Sequence, residues 1–178
     1  MRNSVLLCAL LSASLLAPAA LGQRKVDLKA LHLQALNGDP LSVPLNSHKA
    51  ILLNFWAPWC GPCREEIPWF QSLQQTNPAH ILVIGVVADP DEYGNAAAFM
   101  KGQHVTYRLA RLSPQLVHAF GDPEALPETF YLSATGEIVH AVQGVAPRET
   151  MLQFAADAEQ RADQGAATKH VTALQTPR

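Results

Sequence analysis

Cysteine is scarce in this chain. Only three occur among 178 residues, and Cys8 lies in the leader at the N-terminus. That excludes a scaffold stapled by several disulfides. It also excludes a structural zinc site built from two cysteine pairs. Charge is sparse as well: Asp, Glu, Lys and Arg make up 16% of the chain, and the formal net charge is −2. Nothing in that balance draws the protein to nucleic acid. No strand is followed by a glycine-rich dinucleotide turn, so a nucleotide cofactor is not expected. Beyond the leader, no apolar run is long enough to span a bilayer. Apolar residues, by contrast, are plentiful. At 48% hydrophobic, the chain suits one globular domain with a real core.

The first residues read as a targeting segment. Arg2 is followed by an uncharged stretch from Asn3 to Gln23, mostly Leu, Ala, Val and Ser at its centre. Two readings stand. Pro18 and the small residues of Ala17-Pro18-Ala19 and Ala20-Leu21-Gly22 favour a secretory signal, residues 1–22, removed on export. The length of the uncharged run, with Arg24 and Lys25 just after it, favours an uncleaved membrane anchor. Either way the protein leaves the cytoplasm, and a periplasmic location is expected. The exported part keeps only Cys60 and Cys63. In an oxidising compartment such neighbours pair. A loop this short restrains the unfolded chain little, so the pair is chemical rather than structural.

The pattern that follows is α/β. Leu31 to Leu36, a turn at Asn37-Gly38-Asp39-Pro40, and Leu41 to Leu45 predict a hairpin. Ala50 to Trp56 and Ile81 to Ala88 are nearly continuous apolar runs, as expected of strands covered on both faces. Between them a helix runs from the cysteines to about Thr76, with Pro68 inside it as a kink. A helix from Glu92 to Lys101, a strand from Val105 to Leu109 and a short helix over Ser113 to Phe120 come next. Strands over Glu128 to Leu132 and Glu137 to Val142 and a helix over Pro147 to Gln160 complete a domain spanning 26–160. Residues 161–178 are expected to form a loose tail.

The chemistry sits in Cys60-Gly61-Pro62-Cys63, at the mouth of a helix that follows a buried strand. The unpaired N–H groups and partial positive charge of a helix start stabilise a thiolate. Such placements lower a thiol pKa from about 8.5 to roughly 3.5–7.5. Cys60, at the exposed start, is the expected nucleophile. Cys63 shares a helical face with Ile67 and Phe70, points toward the core, and resolves the mixed disulfide.

The stretch Phe55-Trp56-Ala57-Pro58-Trp59-Cys60-Gly61-Pro62-Cys63-Arg64 resembles the active-site segment of the thioredoxin family. Leu126-Pro127-Glu128-Thr129-Phe130 resembles its second signature, a loop with a cis proline. The export signal, the hairpin, the string Cys63-Arg64-Glu65-Glu66-Ile67-Pro68 and the long segment between Cys63 and Pro127 are similar to the bacterial TlpA/ResA-like branch, which includes the cytochrome c biogenesis thioredoxins. The resemblance implies a thioredoxin fold: a central mixed sheet flanked by helices, with an N-terminal β-hairpin and an inserted strand–helix unit. It implies a catalytic set of Cys60, Cys63, Glu66 and Pro127. Glu66 would act as a partly buried proton carrier one turn beyond Cys63, and Pro127 would be cis. Trp59, Gly61, Pro62 and Leu126 would meet the substrate. Asn54 takes the place of the buried acid many thioredoxins carry.

The function so implied is exported reduction of disulfides in partner proteins, in cytochrome c or copper-centre maturation. A copper-delivery or redox-sensing module on the same fold, and a disulfide donor or isomerase, are the alternatives. The expected partners are a disulfide-bearing protein and a membrane thiol carrier that supplies electrons. No cofactor, metal ion or nucleic acid is expected, and the chain is expected to be a monomer.

Overall fold

The computed structural model describes residues 24–41 and 49–174. The leader and the return limb of the expected hairpin from residue 42 onward lie outside them. Five strands form one sheet in the order β3-β2-β1-β4-β5. They are β1 (Ala50–Trp56), β2 (Ile81–Val87), β3 (Arg108–Arg111), β4 (Glu128–Leu132) and β5 (Ile138–Gln143). β1, β2 and β3 run parallel, while β4 and β5 run antiparallel to their neighbours. The two apolar runs of the sequence are therefore adjacent central strands, and every residue of β1 and β2 is buried.

Strict alternation sends their side chains to two cores. Leu52 and Trp56 of β1, Val83 and Val87 of β2 and Tyr131 of β4 face one way. There they meet the helix α1 (Gly61–Thr76) through Ile67, Phe70 and Leu73, and α4 (Arg148–Leu174) through Met151, Ala155 and Ala158. The helix α2 (Tyr93–Gly102) adds Ala96 and Met100. Ile51, Leu53, Phe55, Ile84, Val86, Phe130 and Leu132 face the other way, against Leu116 and Phe120 of α3 (Pro114–Phe120). The N-terminal segment covers that second face with Val26, Leu28, Leu31 and Leu33.

Several expected boundaries shift. The hairpin turn forms, with Gly38 at φ +94° and Asn37 bonded to Asp39. Among the described residues its limbs meet at the bridge between Gln34 and Pro40, where the Leu41 N–H donates to the Leu33 carbonyl and the Ala35 N–H to the Asp39 carbonyl. The strand expected at Val105–Leu109 is β3, displaced to Arg108–Arg111. Val105 and Thr106 are held elsewhere, by the carbonyl of Met100 and the side chain of Gln71. The helix expected from Glu92 begins as a 3-10 turn at Pro90–Glu92, with Asp89 as its cap. The last helix runs past Gln160 to Leu174. The residues there are rich in alanine and other good helix formers, with no proline to stop them. Gly136 has φ +86°, and a side chain on it would lie 2.1 Å from the Val26 carbonyl oxygen. That close approach lets the N-terminal segment lie beside the start of β5.

Candidate active site

β1 ends at Trp56, and the chain turns through Ala57-Pro58-Trp59 into α1. Cys60 is the N-cap of α1, with Pro62 in the first turn where a missing N–H has no consequence. Its Sγ accepts a hydrogen bond from the Cys63 N–H at 3.2 Å. Cys60 and Cys63 are joined as a disulfide with Cα atoms 5.3 Å apart. The helix start therefore presents an N–H directly to the sulfur that must carry negative charge when the bond opens.

Cys60 was expected at an exposed position. It is 4% exposed, against 1% for Cys63. The order of accessibility holds, yet both cysteines are buried. The surface around them is made by Trp59, which is 61% exposed, by Pro62 and by the half-buried Gly61 and Leu126. The Trp59 indole N–H donates to Asp89 Oδ2 at 2.9 Å, so the exposed ring is tied to the loop after β2. Trp56, in contrast, is fully buried.

Glu66 is not a surface carboxylate. It is 2% exposed, while its neighbour Glu65 is exposed. Burial pushes its carboxyl up from the ordinary 4.5 to about 7, and a hydrogen bond from the Ala146 backbone N–H opposes that rise. It lies three residues beyond Cys63 on α1, the spacing of side chains on one helical face.

The peptide bond between Leu126 and Pro127 is cis. Pro127 is buried, and Leu126 packs against the cluster that contains both cysteines. The Pro127 carbonyl accepts from the Gly144 N–H at 2.7 Å. The turn from Gly144 to Ala146 thus touches the cis-proline loop at one end and Glu66 at the other. Sequence reasoning missed this turn, since its contribution is backbone and carries no side-chain signature. Asn54 is 1% exposed and donates to Thr129 Oγ1 at 2.9 Å, which ties β1 to the strand after Pro127.

A helix-capping cysteine pair, a buried carboxylate one turn on and a cis proline before the fourth strand of a mixed sheet define a thiol–disulfide oxidoreductase of the thioredoxin fold. The Redoxin family model matches residues 18–160, and the chain belongs to that family. It is similar to the sporulation thiol-disulfide oxidoreductase A of Bacillus subtilis, at 27% identity over 60% of this chain and 66% of that protein. It is also similar to the thiol-disulfide oxidoreductase ResA of Bacillus subtilis, at 27% identity over 63% of each chain. A DsbE homolog of Paracoccus denitrificans, a thiol:disulfide interchange protein, is 35% identical over 55% of this chain and 52% of its own length. The chain thus spans about two thirds or less of these relatives. Among solved structures, a thiol:disulfide interchange protein of Chlorobium tepidum superposes with a TM-score of 0.59 at 27% identity. That match covers 71% of this chain and 90% of the other. The chemistry of Cys60 and Cys63 is thiol–disulfide exchange.

Proposed function

We propose that this protein is an exported, periplasmic reductase of disulfides in partner proteins. Apocytochrome c or its maturation factors are the foremost substrate class, and copper-centre thiols come next. The observation that carries this reading is the Cys60–Cys63 pair at the start of α1 with the buried Glu66 one turn beyond it. In the reduced protein the Cys60 thiolate, held by the helix N-terminus, attacks one sulfur of a substrate disulfide. A mixed disulfide forms and the first substrate thiolate leaves. Cys63 gives its proton to the Glu66 carboxylate and attacks Cys60 Sγ. The Cys60–Cys63 bond forms, the mixed disulfide breaks, and the proton passes to the departing sulfur. The substrate disulfide becomes two thiols, and the protein's dithiol becomes a disulfide.

Trp59, Pro62, Gly61 and Leu126 form the surface that a substrate peptide meets, and the backbone before cis Pro127 offers it a strand edge. Electrons to restore the dithiol come by thiol exchange from a membrane carrier. The test is the reduction potential of the Cys60–Cys63 disulfide, measured by equilibration with a dithiothreitol buffer. Gly61-Pro62 between the cysteines resembles thioredoxin, so the value should lie toward the thioredoxin end, about −270 mV. A value near about −120 mV, typical of a strong oxidant, would make the protein a disulfide donor instead.

A further inference from the structure

Buried polar atoms almost always find a hydrogen-bond partner. Beneath α1, several do not. Among the described residues Glu66 Oε2, Tyr107 Oη, Tyr131 Oη, Trp56 Nε1 and Asn54 Oδ1 are buried without one. All belong to the sheet face that α1 covers. Trp56, Tyr107 and Tyr131 share the apolar cluster of the cysteines, and Asn54 alternates onto the same face as Leu52 and Trp56. The segments are brought together by register: Asn54 pairs with Gly85 on β2 and with Thr129 on β4. Gly85 lets the Trp56 and Tyr107 side chains close tightly over the β2 backbone. A side chain there would begin 3.0 Å from Trp56 Nε1 and 3.1 Å from the Tyr107 ring.

The five atoms are also complementary. Trp56 Nε1 and the two tyrosine hydroxyls are donors, whereas an ionised Glu66 Oε2 and Asn54 Oδ1 are acceptors. We propose that Tyr107 and Tyr131 are positioning residues of the exchange reaction, whose hydroxyls turn to Glu66, directly or through an internal water, when its carboxylate forms. The inference rests on the role of Glu66 proposed above.

Among the described residues, beyond the cysteines, the register sets His140 of β5 beside Tyr131 on this face, and that imidazole is bonded to Asp157 of α4. β1 and β2 carry no ionisable side chain. On β4, Glu128 alternates to the face of Phe130. On α1, Arg64 and Glu65 are exposed. On β3, Arg108 is exposed and Arg111 lies over the Tyr93 ring. Lys101 of α2 and Arg148 and Glu149 of α4 are exposed, and Asp157 of α4 is engaged by His140. The turn before α4 contributes only the Ala146 N–H. The charge of Glu66 adds to burial in raising the proton affinity of both tyrosines.

The test is the pH dependence of exchange between the reduced protein and oxidised glutathione. It is measured for Tyr107→Phe, Tyr131→Phe and the double variant, each with Glu66 intact and as Glu66→Gln. Loss of the donors should move the Glu66-dependent inflection upward by about one pH unit in the double variant, a tenfold change in ionised Glu66 at fixed pH. The shift should vanish in the Glu66→Gln background. The infrared carboxyl band of Glu66, assigned by its loss in Glu66→Gln, should move with the inflection and gives a second readout if exchange is slow. An inflection and band unmoved or moved downward in the tyrosine variants, with Glu66→Gln itself active on the profile, would overturn this inference alone. A profile indifferent to Glu66→Gln would remove the proposed role of Glu66 and this inference with it.

Discussion

The two faces of the sheet are built from the same strands and do opposite work. On the face covered by α3, β1 and β4 send Ile51, Leu53, Phe55, Phe130 and Leu132 into a core with no buried charge. Phe55, Phe120 and Phe130 form an aromatic trio there, with centroids 4.9 to 6.1 Å apart. On the face covered by α1, the alternate residues of the same strands include Asn54, Trp56, Thr129 and Tyr131. That face holds Glu66, both cysteines and the buried polar atoms without partners. The apolar face has only packing to offer, so it anchors the sheet. The other gives up polar satisfaction, which a fold tolerates at a site where charge must appear and disappear. The comparison breaks if chemistry follows the anchoring face, or if stability ignores it.

The largest effect belongs to the cysteines. Cys60→Ser and Cys63→Ser should each abolish turnover in an insulin-reduction assay. Only Cys63→Ser should accumulate mixed disulfides with partner proteins, as the proposed attack by Cys60 and resolution by Cys63 require. Trapping by Cys60→Ser instead would reverse the assignment. On the anchoring face, Phe130→Ala should lower unfolding free energy by about 3–5 kcal/mol, the range for truncating a buried phenylalanine. Denaturant unfolding reads that loss. The reduction potential of the folded fraction should stay where it was; a large change in potential would show that the two faces are coupled.

Glu66 tests the other face. Its carboxyl holds a proton more tightly folded than unfolded, at about 7 against 4.5. Below the lower value both states are protonated and burial of the neutral acid carries no electrostatic penalty. As pH rises from the lower value to the higher, the unfolded chain ionises while the folded one stays protonated, and the loss is complete once the folded carboxyl ionises too. The oxidised protein should therefore lose on the order of 3 kcal/mol between those two values. Glu66→Gln keeps an acceptor for the Ala146 N–H and should flatten that slope, leaving the variant more stable than the parent above neutrality. Unfolding midpoints across the same range decide it, and parallel slopes would mean that Glu66 is hydrated and unperturbed.

What the sequence disclosed follows the same division. Cys60 and Cys63 were legible because their motif is local: a cap and a first-turn proline carry their meaning within a few residues, whereas the cis Pro127 was legible only through the resemblance of its loop. β1 and β2 were legible because continuous apolar runs demand cover on both faces. The convergence of Tyr107, Tyr131 and the Ala146 N–H on Glu66 was not. It joins segments far apart in the chain, and two buried tyrosines read as ordinary core. The edges were misjudged for a related reason. β3 begins at Arg108 because Gln71 of α1 holds Thr106, a tertiary bond that no local pattern announces.

The smallest effect sharpens the boundary between the reactive face and the surface beside it. Trp59 is exposed yet fixed, because Asp89 accepts its indole N–H through Oδ2 while Oδ1 accepts from the Asp91 N–H. Asp89→Asn leaves one side-chain oxygen for two donors. Asparagine still caps the 3-10 turn well, so the indole should be the donor released. A hydrogen bond this exposed is worth about 1 kcal/mol or less, roughly a fivefold change at most in an equilibrium. If Trp59 serves as a docking platform, KM for a disulfide-bearing protein should rise by no more than that factor, with kcat and the rate with oxidised glutathione unchanged. The small disulfide makes no use of the indole and isolates the chemistry from docking. Trp59→Phe should match or exceed the effect of Asp89→Asn on KM and remove any further effect of it. A KM unmoved by either substitution would leave the ring without a part in docking, and the surface that recognises substrate would then centre on Leu126 and the turn at Gly144.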